Sequence, residues 1–337
     1  YNGSMLTITP FVSPFNKFSV TPEHPVLSVK RDWLESSRKS SGLCNWLRIK
    51  KEELISIKPR YVLAGNLEKS DYLIFAPNKR VKDSPIFNRD MMKIIGYYLA
   101  EGYSSANSSV LAFALNKNEK EYISELKSLI LNITHKQPKE RIRGSVSEIY
   151  ICSRKWVKFF VSIAGRLASH KKLSDEILLL PFEKQWELIK TYIKGDGYLV
   201  RRRPENEITY RISTVSQALA IQVQEILARG GIFSAIKEDS EIERKSYIEG
   251  RRVNSKILYE VSFQLKRKHK FVHLGKGYFL VPIKDIAKRY YSGNVYNIQV
   301  KNKPSSYLVK GFAVHNCTVA IANTSLLTTM IKGKTLE

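Results

Sequence analysis

From residue 1 to about 82, apolar and polar positions alternate with a period of two, the mark of half-buried strands. Met5-Leu6-Thr7-Ile8-Thr9 and Phe18-Ser19-Val20-Thr21 are separated by a Pro-containing turn, and Asp71-Tyr72-Leu73-Ile74-Phe75-Ala76-Pro77 closes the segment as a strand. Trp33, Trp46 and Leu47 are expected in its core. The period then lengthens to that of a helix. Asn88 or Asp90 caps a helix that starts near Met91 and runs through Ile94, Ile95, Tyr97, Tyr98 and Leu99 to Glu101, with Gly102 as its left-handed stop. A strand over Val110–Ala114, an amphipathic helix from about Asn118 to Leu131, a strand over Ser145–Cys152 and a helix over Trp156–Ala168 follow.

The succession then starts again. Trp186 to Gly197 reads as a second helix ending in acid-Gly, Ile208–Thr214 as a strand, and Ser216 as the cap of a helix ending at Gly230-Gly231. Ile257–Leu265 alternates with Tyr259, Val261, Phe263 and Leu265 on one face. Two copies of helix-strand-strand-helix, each opened by a helix ending in acid-Gly, form an internal repeat and predict two halves about a pseudo-twofold axis. Period two returns at the end. Tyr278–Ile283 reads as a strand, Val295–Val300 with Ser306–Val309 as a hairpin, and Gly311–Val314 leads into His315-Asn316-Cys317.

Composition narrows the function. Lys and Arg number 56 against 31 Asp and Glu, a net charge of +25. With 43% hydrophobic residues the chain is ordinary for a globular protein, so the excess calls for a polyanionic partner, nucleic acid first. No apolar run approaches the roughly 18 residues that cross a bilayer, and no membrane partner is expected. Cys44, Cys152 and Cys317 are too scattered for a disulfide framework or a metal set, which points to a reducing, cytoplasmic setting.

Two groups of residues carry chemistry. Gly96 and Ala100 suit close approach of two helices, and parallel packing of the repeated helices sets Glu101 beside Asp196. Adjacent carboxylates repel and are resolved by a divalent cation, which leaves coordination positions for phosphate oxygens and water. An acid at a helix C-terminus also opposes the macrodipole, and here that occurs twice. The second group is split between the chain's ends. Pro22 and Pro25 hold His24 in a rigid turn, with the Thr21 hydroxyl and the imidazole aimed at one peptide group. Far downstream, the Asn316 amide can attack its own carbonyl and break the following peptide bond, with His315 moving protons and Cys317 as a thiol nucleophile.

Ile94–Gly102 and Ile189–Gly197 resemble the two motifs of the LAGLIDADG homing endonucleases, with Glu101 and Asp196 standing 95 positions apart. The resemblance implies an α+β domain of two pseudo-symmetric αββαββα-like halves. It makes Glu101 and Asp196 the metal-binding acids, Mg2+ the ion, and double-stranded DNA the substrate of a monomer. Lys171, with Lys172 as second choice, would polarise the water network or the phosphate. The matching lysine of the second half is open among Lys266, Lys268, Lys270 and Lys276. Glu at the first acid lengthens the arm to the metal, and Thr191, where the motif usually has Gly, is expected to loosen the helix contact. Arg201, Arg202, Arg203, Arg211, Arg251, Arg252, Lys266 and Lys268 fit β-ribbons in the major groove, where Arg reads guanine and Lys neutralises phosphate.

Both flanks resemble inteins. Thr21-Pro22-Glu23-His24 is similar to their Thr-x-x-His motif, and Val295–Val300 through Val314-His315-Asn316-Cys317 to their C-terminal splicing motifs. An all-β Hint-type splicing domain interrupted by a LAGLIDADG domain is the layout this implies. Its segments are 1–84 and 276–316 for splicing, 85–275 for the endonuclease, and 317–337 for the host protein. In that reading Thr21 and His24 act on the upstream peptide bond, Cys317 attacks the thioester, and Asn316 cyclises with help from His315. Ser305 replaces a further His. The upstream nucleophile is expected to precede this sequence, because no Cys comes before Cys44 and Ser4 reads as an interior strand residue. Cys317-Thr318-Val319-Ala320-Ile321-Ala322 resembles an iron–sulfur cluster assembly scaffold, in which that Cys is a cluster ligand. The alternative is a freestanding LAGLIDADG endonuclease or DNA-binding protein with β-rich appendages.

Overall fold

A computed structural model describes residues 1–38, 49–104, 109–202, 207–239, 246–248, 251–253, 257–265, 271–296, 298, 300 and 305–316. The chain divides into two units, Tyr1–Ala76 with Lys270–Glu337, and Pro77–His269. The first unit begins with β1 (Asn2–Pro10), β2 (Phe18–Val20) and β3 (Pro25–Val29), then the short helices α1 (Glu35–Arg38) and α2 (Lys51–Ser56), then β4 (Arg60–Leu63) and β5 (Tyr72–Phe75). Leu6, Ile8 and Pro10 of β1 are buried while Thr7 and Thr9 are half-exposed, as period two demands. All four residues of β5 are buried, which accounts for its unbroken apolar run. Val29, Leu34, Leu54, Tyr72 and Ile74 form a core against which Trp33 is only partly buried. The Arg60 guanidinium lies 5.4 Å over the Trp33 ring, so that indole sits at the rim of the core. Trp46 and Leu47 lie outside the described residues.

The second unit runs α3 (Arg89–Glu101), β6 (Gly102–Ser104), β7 (Val110–Asn116), α4 (Lys120–Thr134), β8 (Lys139–Arg143), β9 (Val146–Cys152), α5 (Arg154–Ala164) and α6 (Asp175–Leu178). It repeats with α7 (Phe182–Asp196), β10 (Gly197–Arg202), β11 (Glu207–Thr214), α8 (Gln217–Arg229), β12 (Ser234–Asp239), the pair β13 (Ser246–Ile248) and β14 (Arg251–Val253), and β15 (Leu258–Phe263). Two four-stranded sheets result, ordered β6-β7-β9-β8 and β10-β11-β15-β12. The first half is therefore αββαββα, and the second follows it as far as β15 with β13 and β14 added. Asn88 caps α3 by accepting the Met91 N–H at 2.9 Å, and Ser216 caps α8 by accepting that of Leu219 at 3.2 Å.

Several expectations are corrected here. Gly102 is extended (φ −83°, ψ 142°), not left-handed, and α3 passes straight into β6. Its lack of a side chain answers to space, since a Cβ there would stand 2.3 Å from the Tyr98 ring. Gly197 is likewise extended and opens β10. Leu265 is 41% exposed and leaves the face shared by Tyr259, Val261 and Phe263. Strand β8 has no period-two signal because all five of its residues are exposed.

Arg229 ends α8 and donates to the carbonyls of Asn78 (2.8 Å), Arg80 (2.9 Å) and Leu180 (2.9 Å) and to Gln185 Oε1 (3.1 Å). The start of the unit is thereby tied to its last long helix.

The chain then returns to the first unit with β16 (His273–Leu274), β17 (Phe279–Ser292), β18 (Ser306–Val309) and β19 (Phe312–His315). The nine-stranded sheet is ordered β18-β19-β3-β5-β17-β1-β2, with β4 on β3 and β16 on β17. Strand β17 pairs with β5 through Pro282 and with β1 from Ile283 onward. The expected hairpin is displaced. The partner of Ser306–Val309 is Phe312–His315, and the described residues among 295–300 are not in a strand. Lys310 and Gly311 form the turn at positive φ, and a Cβ on Gly311 would stand 2.1 Å from the Phe75 ring.

Helices α3 and α7 pack at two small-residue contacts. A Cβ on Gly96 would stand 2.0 Å from Thr191 Oγ1 and 2.5 Å from the Leu188 carbonyl oxygen, and one on Gly195 would stand 2.4 Å from the Ala100 Cβ. Thr191 occupies the repeat position of Gly96. It does not loosen the contact, because its hydroxyl folds back onto the Glu187 and Leu188 carbonyls at 3.0 Å and the glycine opposite leaves room. Gly96→Ala is expected to destabilise the second unit by about 2–4 kcal/mol through overpacking, measured by urea denaturation. A second change, Thr191→Gly, should recover only part of the loss, because the Leu188 carbonyl remains.

Candidate functional sites

The two contacts between α3 and α7 bring the C-terminal ends of these helices together, since Gly195 faces Ala100 and a Cβ on Gly195 would lie 3.4 Å from Glu101 Oε1. Glu101 and Asp196 are half-buried, and the Glu101 charge acts on Asp196. Burial pushes the Asp196 carboxyl up to about 7, the Glu101 charge adds to the rise, and Lys171 opposes it. The Glu101 carboxyl is raised by burial first and by Glu119 second, again against Lys171.

Lys171 is buried, and its Nζ donates to the carbonyls of Tyr98 (2.9 Å) and Leu99 (2.7 Å) at the end of α3, 5.5 Å over the Tyr98 ring. Burial brings its ammonium down to about 8 against the pull of Asp196 and Glu101. The backbone holding it is fixed by the α8 cap, as the Ser216 hydroxyl donates to the Lys171 carbonyl at 2.6 Å. Lys171 is thus a cation at the C-terminus of α3, where the helix dipole favours one. Lys172 is exposed, and its backbone N–H bonds the Ala164 carbonyl.

The oxygen donors fit a hard divalent cation. Two half-buried carboxylates stand at the paired helix ends, and the Lys171 ammonium directs two of its protons to carbonyls. Mg2+ takes few carboxylates and keeps water.

Of the cationic residues expected to meet DNA, Arg201 is exposed on β10. Arg211 is engaged within the fold, 3.2 Å from Glu260 and 3.3 Å from the Tyr198 hydroxyl, which itself donates to Glu260. Arg202, Arg251 and Arg252 are placed only by the backbone of their strands, and Arg203, Lys266, Lys268 and Lys270 lie outside the described residues. The other sheet repeats the cluster: Tyr103 donates to Glu148, which also pairs with Arg141. Tyr103 and Tyr198 were not singled out from sequence, although Gly-Tyr follows the acid in both copies.

A second constellation forms in the first unit. Pairing of Val314 with Val26 lays β19 beside β3, so the end of β19 arrives at the turn holding Thr21 and His24. That turn is closed by the His24 N–H on the Thr21 carbonyl (3.1 Å) and braced by Gly65 on Pro22 and Ala64 on His24. His24 is half-buried, and burial together with the nearby His315 lowers its pKa. The Tyr307 hydroxyl stands 3.4 Å from His24 Nε2. His315 Nδ1 lies 2.5 Å from the Asn316 carbonyl oxygen. A carbonyl only accepts, so Nδ1 carries the proton in this contact. The Asn316 N–H donates to the Ser305 carbonyl at 3.0 Å, and Ser305 is left-handed (φ 58°).

Tyr61 was missed by sequence reasoning. Its ring meets the His315 imidazole edge-on at 4.8 Å, and its hydroxyl is hydrogen-bonded to Ser306 Oγ. No motif marks it, because an exposed tyrosine on an edge strand reads as surface. Cys317 lies outside the described residues.

Residues 183–266 match the LAGLIDADG-like domain, so the second half of the repeat carries a domain of that kind. An iron-sulfur cluster assembly SufBD family protein of Mycobacterium tuberculosis is 32% identical over 95% of this chain, which spans 38% of that protein's length. The ATP-dependent DNA helicase Hel308 of Thermococcus kodakarensis is 30% identical over 71% of the chain and 22% of the helicase. A crystal structure of I-DmoI in complex with DNA and calcium aligns with a TM-score of 0.38 at 14% identity, over 54% of this chain and 86% of that one.

The Asp196 shift has a signed consequence. A carboxyl raised in the folded state stabilises the fold below its unfolded pKa, and that contribution is lost as pH rises through about 7. Asp196→Asn is therefore expected to raise the melting temperature at pH 8 by about 3 °C and to leave it nearly unchanged at pH 4. Differential scanning calorimetry in chelator, comparing both proteins at both pH values, checks this.

Proposed function

We propose that this chain is an intein: a protein-splicing element in the first unit that carries a DNA-cleaving homing endonuclease in the second. The observation that carries the reading is the contact of His315 Nδ1 with the Asn316 carbonyl oxygen at 2.5 Å, beside a histidine 291 positions upstream. A proton donor on that oxygen makes the carbonyl carbon electrophilic. The Asn316 side-chain nitrogen then attacks it, the bond to residue 317 breaks, and the departing nitrogen takes up a proton. The products are a C-terminal succinimide and a new amino terminus at Cys317.

The relatives support the same reading. This chain is similar to parts of an iron–sulfur assembly protein and of a DNA helicase, whose named activities have nothing in common. A mobile insertion accounts for that, and an enzyme specialised to either pathway does not. Residues 317–337 would then belong to an iron–sulfur scaffold host, in a reducing compartment that keeps the Cys317 thiol free.

In the second unit Glu101 and Asp196 would hold Mg2+, which when bound supplies Lewis-acid polarisation of a phosphodiester. Lys171 fixes the last turn of α3 so that Glu101 keeps its place, and its remaining N–H is available to a water or a phosphate. The exposed Arg201 and the net charge of +25 supply attraction to double-stranded DNA.

Purified chain is expected to release residues 317–337, leaving a product one water lighter than simple hydrolysis gives, as read by mass spectrometry. Asn316→Ala should abolish the release and His315→Ala should slow it by about 10–100-fold. Release from Asn316→Ala at the wild-type rate would overturn the splicing reading. For the second unit, Mg2+ should raise the melting temperature of the native chain but not of Glu101→Gln/Asp196→Asn; an equal rise in both would exclude these acids as the metal site.

A further inference from the structure

Tyr61, Ser306 and His315 form a closed triangle across three strands. Ser306 is the direct partner of His315 in the β18–β19 ladder. The Tyr61 hydroxyl is bonded to Ser306 Oγ, and the face between them is closed by the Tyr61 ring against the His315 imidazole at 4.8 Å and 68°. Tyr61 is itself held in register, opposite Leu27 in the β3–β4 ladder, in the strand that follows His24. One side is thus set by the backbone ladder, one is a hydroxyl anchor and the third is a ring contact.

We infer that Tyr61 is a positioning residue for His315. An imidazole at the end of a strand can turn about χ1 and χ2 and can carry its proton on either nitrogen. The contact with the Asn316 carbonyl requires one orientation and the Nδ1–H tautomer. A ring packed edge-on blocks rotation of the imidazole, and the Ser306 anchor stops the tyrosine from yielding. Tyr307 stands in a similar relation to His24, through its hydroxyl 3.4 Å from Nε2 and an edge-on ring contact at 6.2 Å. The two histidines, which repel when both are charged, are therefore held by separate tyrosines. This inference rests on the splicing reading for its activity, though not for its geometry.

The test is a double-mutant cycle on the release of residues 317–337 by the full chain. Tyr61→Phe keeps the ring and removes the anchor, and Ser306→Ala removes the other end of it. Each should slow release about 3–10-fold in a His315 background and have no effect in a His315→Ala background, because the coupling passes through the imidazole. Equal slowing in both backgrounds, or none in either, overturns the inference. Thermal melting of each variant verifies the fold.

A second readout does not require cleavage. In an Asn316→Ala chain, the ring nitrogens of His315 seen by 15N NMR should report the Nδ1–H tautomer. Tyr61→Phe should shift His315 toward a tautomer mixture and leave His24 unchanged. If the parent chain fails to release residues 317–337 while the NMR response holds, the splicing reading fails and the positioning role stands; an unaltered His315 spectrum sinks the positioning role by itself.

Discussion

Close approach of α3 and α7 is the constraint from which the second unit follows. Two helix backbones come this near only where side chains are nearly absent, and here the small residues alternate between partners: Gly96 faces Thr191, and Gly195 faces Ala100. Because the contacts lie one turn apart on equivalent faces, both helices end at the same level and their terminal acids meet. The same packing partly shields that meeting point from water, which is why the Asp196 carboxyl climbs and the Lys171 ammonium falls. The site's electrostatics are a product of helix packing, with the lysine directed mainly at the helix end it supports.

In the first unit, strand pairing performs the corresponding task. His24 and His315 are far apart in the chain and belong to β-segments on either side of residues 77–269. One ladder contact, Val26 with Val314, is sufficient to bring them together, because a strand carries its end residues wherever its register leads. The surroundings of His315 and Asn316 are then set by neighbours that strands present in fixed order: Ser305 receives the Asn316 N–H, and Ser306 is bonded to Tyr61.

Much of this was legible in the residues. Period two marked β1, an unbroken apolar run marked β5, the Asn88 and Ser216 caps marked helix starts, and acid-Gly repeated at Glu101 and Asp196 disclosed the internal symmetry. What escaped has physical causes. Strand β8 is exposed at every position, so it has no buried face to produce alternation. Gly102 was read as a left-handed stop because glycine is best known for that freedom, whereas here it clears space for Tyr98. The hairpin partner of Ser306–Val309 was misplaced because Val295–Val300 also alternates, and a short period-two run does not say which neighbour it pairs with. The Arg211–Glu260 pair was not legible because its members lie 49 positions apart in the chain. Tyr61 is visible only once β4 is laid against β3.

Strand β5 ends at Phe75, which pairs directly with Phe279 at the start of β17, in an antiparallel ladder that continues to Tyr72 and Pro282. The last strand before residues 77–269 and the long strand after them are therefore cross-strand neighbours, and the chain, having re-entered the first unit at Lys270, passes through β16 before it reaches Phe279. What joins them in this protein is a whole domain in the position of a turn. Such a junction imposes no distance that an insert must span, so a few residues or a few hundred satisfy it equally. Every strand of the nine-stranded sheet lies before residue 77 or after residue 269, so none of its pairings draws on the residues between.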